Sequence, residues 1–593
     1  FSNQAHGSPG NLVDFYATAD FPQTEAFGTS RFDIPLVRSD PDFDESRYGK
    51  PEPLTYKFAT SGANLTGKKY VGSESFTWLG DHFKVALSQV KPQADELLVN
   101  GVNHILYHGI PYSPYNEGFP GWQFYAAVNF GPQGGLWENI PEMNRYIYNC
   151  QQVLQNTTPD QDLILYFPIH DVWANTENKT AINQLDVHKA EKWLIQTPMG
   201  ELARELMENG IQFDYISDTF LQNLNVVDGK LVSAGAIYKS LVVPAVDYIP
   251  VQTLTRINEL KKEGAKIIFS EHLPNMSSGL KDHAENNILL EQIKAEIGKD
   301  AVTNDVVDKL SEEGITPENL SKLGLSFIRK TAKNDNVVYF VSNLANNFKA
   351  DSVELKTTAD AVVFYNPLTG NEGSVPYTKT INGLKVFLKL PPGQSIFIKT
   401  YKALDQLKET EKKVFPTNLV TKNETTLTGN WNISFREGQG KKPNDLNTDK
   451  LESWTELGDS LTREFSGTAS YQLEFDLPKG LKESDSYQLD LGDVREAAKV
   501  NLNGVEIGNL WSVPFTVNIP ADLLRKKGNI LHIEVTNLAI NQIIAIDKKG
   551  ERHWKKFKDA NIVNINYRPF DASEYDPAPS GLLGPVKLIE IKK

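Results

Sequence analysis

The chain has 593 residues, which is enough for several domains of roughly 100–200 residues each. Its 40% hydrophobic and 10% aromatic residues are typical of a folded globular protein and exclude a disordered chain. The formal net charge of −14, from 61 basic and 75 acidic residues, argues against a nucleic-acid partner, because phosphate backbones are bound by clustered Lys and Arg.

The single cysteine, Cys150, excludes a disulfide within the chain and a cysteine-based metal site. We expect it to be a buried structural thiol in a helix. No run of 18 apolar residues occurs, so no membrane span is predicted. The sequence begins at Phe1, without a signal peptide, in what reads as the middle of a domain, and we therefore interpret it as part of a longer or processed chain.

Residues 1–160 contain three units in which a predicted strand runs into a polar loop. The predicted strands are residues 11–16, 69–72 and 105–107. Helices are predicted over residues 77–90, with Lys91 and Pro92 as a stop, and over residues 142–155. This alternation predicts a parallel sheet with too few units to close an eight-stranded barrel, so we interpret residues 1–160 as the C-terminal part of a (β/α)8-type catalytic barrel.

Residues 161–332 have the rhythm of a doubly wound α/β domain, flavodoxin-like or amidotransferase-like. The predicted strands are residues 162–167, 211–216, 241–244 and 266–270, and the predicted helices are residues 199–207 and 251–262. No glycine-rich phosphate loop follows any of these strands. We therefore expect a scaffold without a nucleotide function.

From residue 333 onward the hydrophobic period changes to two, which predicts two all-β modules. Residues 333–402 are predicted to form a small β-sandwich, and the charged residues 403–414 a linker. Residues 415–593 are predicted to form a jelly-roll β-sandwich, of a kind that binds sugars or packs on a catalytic domain. Within it, Asn503-Gly504 is a type I′ hairpin signal.

Two carboxylates beside predicted strands, Glu74 and Glu25, are the candidates for acid–base chemistry on a glycosidic bond. Glu74 is the stronger candidate, since it lies between small residues in a loop that would partly desolvate it. The alternative is that Glu74 caps a helix starting near Ser75. For Glu25 the alternative is a loop carboxylate paired with an arginine such as Arg31.

Two histidines, His6 and His108, precede glycines, where the backbone can approach a ligand closely. Each is a candidate hydrogen-bonding partner for a sugar hydroxyl or a leaving group, although a lone histidine at a strand end is more often structural. The aromatic residues considered as walls of a sugar site are Trp78, Tyr107 and Trp122. No HExxH, GxSxG or EF-hand pattern occurs, so zinc hydrolase, α/β-hydrolase and simple calcium-sensor readings lack support.

Three N-terminal blocks resemble glycoside hydrolase family 106, the α-L-rhamnosidases: QAHGSPGNLVDFYATADFPQTEAF, VGSESFTWLGDHFK and VNHILYHGIPYSPYNEGFPGWQFYAAVNF. The middle of the chain is similar to the amidotransferase-like domain of some β-galactosidases. The end, from LDLGDVREAAKVNLNGVEIGNLWSVPFTVNI to SGLLGPVKL, is similar to galactose-binding-like sandwiches. The resemblance extends over most of the chain.

The resemblance implies an inverting hydrolase that releases α-L-rhamnose from pectic or other plant glycans, with a calcium ion in its active site. It further implies export to the periplasm or surface of a bacterium. Glu74 would be the general base, and the partner acid is expected on an earlier strand, upstream of Phe1. Glu25 would be a contact of substrate or calcium, or a catalytic carboxylate itself.

Two other functions are compatible with the sequence. One is a retaining β-galactosidase-like enzyme of the same barrel clan, in which Glu74 would be the nucleophile. The other is a non-catalytic glycan-binding protein whose C-terminal sandwich binds through groups such as Trp511 and Asn541. The sequence indicates neither the linkage cut nor the oligomeric state.

Overall fold

The computed structural model describes residues 1–29, 32–38, 44–45, 49–175, 183–416, 420–436, 438–479, 481, 486–520, 522–551 and 563–592. Among these residues no helix is both long enough and apolar enough to cross a membrane.

The first layer is a sheet of four parallel strands in the order β1-β2-β3-β4, with helices between them. In chain order the elements are β1 (Ser2–Asn3), α1 (Leu12–Thr18), β2 (Phe21–Phe27), α2 (Pro53–Thr66), β3 (Gly72–Thr77), α3 (Leu87–Val99), β4 (His104–Tyr107) and α4 (Ile140–Leu154). The predicted parallel βα layer is therefore present. Its closure into a barrel stays a prediction.

The predicted strand over residues 11–16 is wrong, because these residues form helix α1. The Asn11 side chain accepts a hydrogen bond from the Val13 N–H at 3.1 Å and caps the helix. The buried residues Leu12, Val13 and Tyr16 follow helical spacing on one face. The strand of this unit is β2, which contains Glu25.

The predicted helix over residues 77–90 is also wrong, because α3 begins at Leu87 and continues past Pro92 to Val99. Burial holds the helix together across the proline. Lys91 and Asp95, both buried, form an ion pair at 2.8 Å one turn apart, and Lys91 also donates to the Gly393 carbonyl at 2.8 Å. Tertiary contacts here outweigh the unfavourable helix propensity of proline.

The second layer is a five-stranded parallel sheet in the order β15-β13-β11-β6-β7. Its neighbouring elements are β5 (Thr158–Pro159), β6 (Leu163–Tyr166), α5 (Ile169–Ala174), α6 (Pro198–Glu208), β7 (Phe213–Ile216), α7 (Asp218–Gln222), β8 (Asn225–Val227), β9 (Lys230–Val232), β10 (Ile237–Tyr238), β11 (Ser240–Val243), β12 (Tyr248–Ile249), α8 (Val251–Lys262), β13 (Lys266–Ser270), β14 (Met276–Ser277), α9 (His283–Ile297), β15 (Val302–Thr303) and α10 (Val306–Glu312). Strands and helices lie close to their predicted positions, and the order is that of a doubly wound flavodoxin-like sheet.

A six-stranded sheet, β20-β19-β23-β17-β16-β5, and a three-stranded sheet, β18-β22-β21, form the third region. The strands are β16 (Ser326–Thr331), β17 (Val337–Ser342), β18 (Lys349–Leu355), β19 (Ala361–Tyr365), β20 (Glu372–Ser374), β21 (Tyr377–Lys379), β22 (Leu384–Leu390) and β23 (Ser395–Tyr401). Because β5 pairs with β16 inside this region, its borders differ from the predicted ones at residues 160 and 332.

The predicted linker over residues 403–414 packs against this region. Glu411 is fully buried and accepts hydrogen bonds from Tyr401 at 2.7 Å and Lys399 at 3.2 Å. The Ser374 hydroxyl donates to the Glu411 carbonyl at 2.6 Å. Charged side chains of residues 403–414 thus take part in ion pairs and hydrogen bonds within this region. The prediction that this segment is a linker is therefore wrong.

The C-terminal region has a four-stranded sheet, β24-β35-β28-β32, a six-stranded sheet, β26-β25-β27-β33-β30-β31, and a two-stranded pair, β29-β34. The elements are β24 (Val420–Thr426), β25 (Trp431–Phe435), β26 (Leu446–Thr448), α11 (Trp454–Leu457), α12 (Ser460–Glu464), β27 (Thr468–Phe475), β28 (Ser486–Asp490), β29 (Asp493–Arg495), β30 (Ala497–Leu502), β31 (Val505–Leu510), β32 (Thr516–Ile519), β33 (Asn529–Thr536), α13 (Ile540–Lys548), β34 (Gly581–Gly584) and β35 (Lys587–Lys592). Asn503 and Gly504 both have positive φ, as a type I′ turn requires. The jelly-roll assignment stays a prediction.

Candidate active site

Glu74 lies within β3, with its side chain 30% exposed, and both of its carboxylate oxygens are held. His108 Nδ1 lies 2.5 Å from Oε1, and Gln4 Nε2 donates to Oε2 at 2.6 Å. Gln4 follows β1 and His108 follows β4. Because the strands are parallel, the carboxyl ends of β1 and β4 lie at the same edge of the sheet as Glu74 of β3. The reading of Glu74 as a helix cap is wrong, because the residues after it continue the strand.

These contacts set the ionisation of the pair. The hydrogen bond from His108, which outweighs the opposing effect of burial, lowers the pKa of Glu74. Burial acts to lower the pKa of His108, but the bond to Glu74 raises the net value above its usual range. At neutral pH Glu74 is therefore an ionised carboxylate, with a neighbouring imidazole that orients it.

Glu25 lies within β2, and its side chain is only 9% exposed. Its Oε2 is 2.8 Å from His188 Nε2 and 3.2 Å from His6 Nε2. Burial acts to raise the pKa of Glu25, but the hydrogen bonds from His188 and His6 outweigh it and lower the pKa to about 2. Arg31, the partner considered from sequence, lies outside the described residues.

Two ionised carboxylates, each bonded to imidazole, thus lie at one edge of a parallel sheet and form a site for polar chemistry. Comparison with known proteins identifies the family. The sequence profile of glycoside hydrolase family 106, described as alpha-L-rhamnosidase, matches residues 47–379, more than half of the chain. The chain belongs to glycoside hydrolase family 106. The matched range includes Glu74, His108 and His188 but not Glu25.

A rhamnosidase structure from Novosphingobium sp. PP1Y is similar to 98% of the chain, with a TM-score of 0.73 and 21% sequence identity, which shows a shared multidomain fold of α/β and β regions. A curated relative from Formosa agariphila, named "Putative beta-glucuronidase", is 34% identical over 224 residues, or 34% of this chain. The family 106 chain spans 52% of the rhamnosidase structure's chain and 18% of the curated relative.

Of the aromatic residues considered as sugar-site walls in this family 106 chain, Trp78 is buried, with 1% of its surface exposed. Its Nε1 donates to the Tyr567 hydroxyl at 3.2 Å, and the ring lies in a small core with Ala126 and Ile565. Trp78 therefore packs the C-terminal region against the first layer, and the expectation that its face meets a sugar is wrong.

Tyr107 and Trp122 also have internal partners. The Tyr107 ring stacks on Phe130 at 5.0 Å between centroids, and its hydroxyl donates to Asn144 at 2.5 Å. The Trp122 indole N–H donates to Glu117 at 3.3 Å. Both side chains are half-buried and shape the loop after β4.

Two exposed aromatic residues that the sequence reading did not select lie beside His108. Phe124 is 42% exposed with its ring centroid 5.4 Å from that of His108, and Tyr125 is 37% exposed with its centroid 6.4 Å away. The Tyr125 carbonyl lies 3.3 Å from His108 Nε2. Phe124 and Tyr125 are therefore exposed aromatic surfaces beside Glu74's imidazole partner. Their position two and three residues after Trp122 was the signal in the sequence.

Sequence reasoning also missed Gln4 and His188. Gln4 was within reach, since it directly follows the first strand and stands two residues before His6. His188 lies in a turn 163 residues from Glu25, and only tertiary contacts bring it there. The Gly7 N–H donates to the Leu185 carbonyl at 2.9 Å, which ties this turn to the loop carrying His6.

In the part of the chain that the structure describes, His6, Asp186 and His188 form the one group of three or more potential ligands whose ligating atoms lie within 4.8 Å of one another. Two of the three ligands are imidazoles, and both contact Glu25. Calcium takes six to eight oxygen ligands, so this donor set does not fit calcium.

Trp511 and Asn541, considered for sugar binding by the C-terminal sandwich, are both buried, with 3% and 1% of their surfaces exposed. Trp511 packs on Tyr146 of α4, and Asn541 donates to the Ala578 carbonyl at 3.0 Å. Neither faces solvent, so these two residues cannot provide the binding surface expected of them. Cys150 is buried, as expected.

Proposed function

We propose that the chain is the part of an exported α-L-rhamnosidase that supplies the general base, Glu74, and that the enzyme removes α-L-rhamnose from pectic or other plant glycans with inversion. The observation that supports this most is the placement of Glu74: partly exposed, ionised and fixed at both oxygens by His108 and Gln4. A carboxylate so placed accepts a proton without first having to lose one.

In this mechanism Glu74 takes a proton from a water molecule as the water oxygen attacks the anomeric carbon. The bond from that carbon to the glycosidic oxygen breaks on the opposite face, and a general acid protonates the departing oxygen. The released rhamnose thus gains its new hydroxyl group from water, and the departing oxygen gains its proton from the general acid. His108 and Gln4 orient the base, and Phe124 and Tyr125 offer apolar faces beside His108.

The general acid in this proposal is a group other than Glu25. A general acid must be protonated before it acts, and the pKa of Glu25 is about 2. We assign Glu25 to holding His6 and His188 at the rim of the site, with His6 available to a sugar hydroxyl. The calcium ion that the family resemblance implies does not fit the described imidazole-containing group, and no step is assigned to it.

One observation favours a retaining mechanism as the second candidate, in which Glu25 rather than another group would be the general acid. Glu25 and Glu74 are partners in the register of neighbouring parallel strands, which places their Cα atoms about 4.8 Å apart. Retaining enzymes hold their two carboxyl groups closer together than inverting ones. In that case Glu74 would attack the anomeric carbon directly, the bond from that carbon to the glycosidic oxygen would break, and Glu25 would give that oxygen a proton, as in β-galactosidase-like enzymes. The lowered pKa of Glu25 opposes this role, which makes retention the second candidate.

The test is a rhamnose-release assay on a panel of pectic oligosaccharides with the full-length protein, comparing wild type, Glu74→Gln and the exposed control Glu285→Gln. We expect release by wild type and the control and a loss of more than about 100-fold in Glu74→Gln, in keeping with the removal of a general base. Immediate ¹H NMR of the product should show the inverted β anomer; the α anomer would favour the retaining candidate. Parallel assays with and without EGTA test a calcium requirement.

Full activity in Glu74→Gln would remove this residue from the mechanism. Release of no sugar from any substrate would overturn the proposal and favour a glycan-binding protein.

A further inference from the structure

A large crevice lies at the carboxyl edge of the five-stranded sheet, outside the Glu74 site. It has a volume of about 560 Å³, within the range of roughly 300–1,000 Å³ that is common for small-molecule sites. Its lining comes from the segments that follow β6, β11 and β13 and from residues 192–199. The sequence reading of this domain as a scaffold alone took no account of it.

The crevice occupies the position where doubly wound sheets bind ligands. Strand β7 lies on one side of β6 and the next parallel strand, β11, lies on the other, so the direction of winding changes at β6. Ligands of such sheets bind outside the carboxyl ends of the strands at this change of direction. Here Asp171 follows β6, and Asp247 and Tyr248 follow β11.

The two rims of the crevice are fixed to each other. Asp171 accepts hydrogen bonds from the Tyr248 N–H at 2.7 Å and the Asp247 N–H at 2.9 Å, which ties α5 to the segment after β11. Phe167 and Trp193, both buried, provide an apolar part of the wall. A preformed crevice of this kind does not have to pay the ordering cost of assembling on binding.

The lining disfavours an anionic ligand and offers hydrogen-bonding groups to hydroxyls. Asp171, Asp247 and Glu271 contribute three carboxylates, against one ammonium group from Lys192, which disfavours anions. The segment after β6 reads Phe-Pro-Ile-His-Asp, without glycine, and α5 has only six residues, so no phosphate cradle is present there. Carboxylates accept hydrogen bonds from vicinal hydroxyls, and the Gln196 amide can both donate to them and accept from them.

One of these carboxylate residues, Glu271, has an unusual backbone conformation. Glu271 has a φ of 63°, in the left-handed region that non-glycine residues seldom adopt. It directly follows β13 and is exposed in the lining of the crevice. Strained positions of this kind concentrate at ligand-binding sites.

We propose that this crevice is a second carbohydrate site, which binds a neutral saccharide unit independently of the Glu74 site. The two sites share one segment of the chain. Trp193 Nε1 donates to the Asp186 carbonyl at 3.0 Å, and the neighbouring His188 bonds to Glu25. On the other side, Trp173 of α5 donates to the Pro9 carbonyl at 2.7 Å, in the loop that carries His6.

The test is ligand binding by the full-length protein carrying Glu74→Gln, so that hydrolysis does not consume the probe. The probes are L-rhamnose, D-galactose, neutral galactotetraose and, as the anionic comparison, D-galacturonate, followed by saturation-transfer NMR and calorimetry. Glu271→Gln is added to this background, with Glu285→Gln as the matched control on an exposed helix. We expect at least one neutral probe to bind, and the Glu271→Gln change to weaken it at least tenfold while the control does not.

A second variant, Ala245→Phe, fills the crevice with a ring and should abolish the same binding. Unchanged binding in both crevice variants, binding of no neutral probe, or tighter binding of D-galacturonate than of D-galactose would each overturn the inference. Its failure is distinguishable from failure of the proposed hydrolysis. If the crevice binds no saccharide, the proposed hydrolysis still stands or falls with the rhamnose-release assay on Glu74→Gln. If the crevice binds a saccharide but no rhamnose is released, the second site is supported and the proposed hydrolysis is not.

Discussion

Glu25 and Glu74 are register partners on the adjacent parallel strands β2 and β3, so their side chains project from the same face of the sheet. Each negative charge disfavours ionisation of the other, yet both carboxylates have lowered pKa values. The reason is that each has its own imidazole partners, His188 and His6 for Glu25 and His108 for Glu74. The edge of this sheet thus holds two ionised carboxylates side by side.

Replacing His108 should move the acid limb of the pH–rate profile. The hydrogen bond from His108 is the largest cause that lowers the pKa of Glu74, so in His108→Gln this pKa rises. Activity that depends on ionised Glu74 is then lost at a higher pH than in wild type. The measurement is kcat/KM against pH, with the exposed His283→Gln as control. An acid limb that stays at its wild-type pH would contradict the role given to His108.

Replacing Glu25 should reduce stability in a pH-dependent way. A folded-state pKa of about 2, against an ordinary value of 4.5, corresponds to on the order of 3 kcal/mol of stability at neutral pH. Because the folded pKa is lowered, this contribution is complete above pH 4.5 and is lost as the pH falls towards 2.

The difference in melting temperature between wild type and Glu25→Gln should therefore be large at pH 7 and shrink steadily below pH 4.5. Glu285→Gln serves as the control, since this glutamate is exposed on α9. A difference that is constant from pH 7 to pH 3 would show that Glu25 is not held by charged or hydrogen-bonded partners.

Replacing Trp78 should affect folding more than substrate binding. Trp78→Phe removes a hydrogen bond to Tyr567 and leaves a gap in a buried contact between regions, at a cost of about 1–3 kcal/mol. We expect a lower melting temperature with a KM close to that of wild type. An increase in KM without a loss of stability would contradict this and would support the earlier expectation that Trp78 contacts the sugar.

Replacing Phe124 should show the opposite pattern. Its ring is 42% exposed beside His108, so Phe124→Ala removes a surface that substrate can contact and costs little folding energy. The expected result is a KM raised roughly tenfold, equivalent to about 1.4 kcal/mol, at an unchanged melting temperature. Phe348→Ala, which removes a ring 55% exposed in another region, is the control. Equal KM values in the two variants would exclude Phe124 from substrate binding.

The elements that were predicted correctly from the sequence are those with a regular pattern of apolar residues, or a specific turn sequence, within a short stretch of chain. Helix α8 and strand β13 have their predicted bounds, and Asn503-Gly504 forms its predicted turn, because local periodicity and turn chemistry decide these features. Glu74, His6 and His108 were selected as candidate site residues for similar reasons, since each stands beside a strand or a glycine.

Where the predictions for helix α3 and Trp78 failed, a distant contact decided the outcome. Helix α3 runs through Pro92 because Lys91 is buried against Asp95 and residues more than 300 positions away. Trp78 is core because Tyr567 covers it. The sequence by itself indicated the family, a parallel βα layer and Glu74 as a candidate catalytic carboxylate. Only the tertiary structure decided that His188 holds Glu25 and Gln4 holds Glu74. These hydrogen bonds depend on which strands pair and which turns pack beside them, and spacing along the chain carries no record of that.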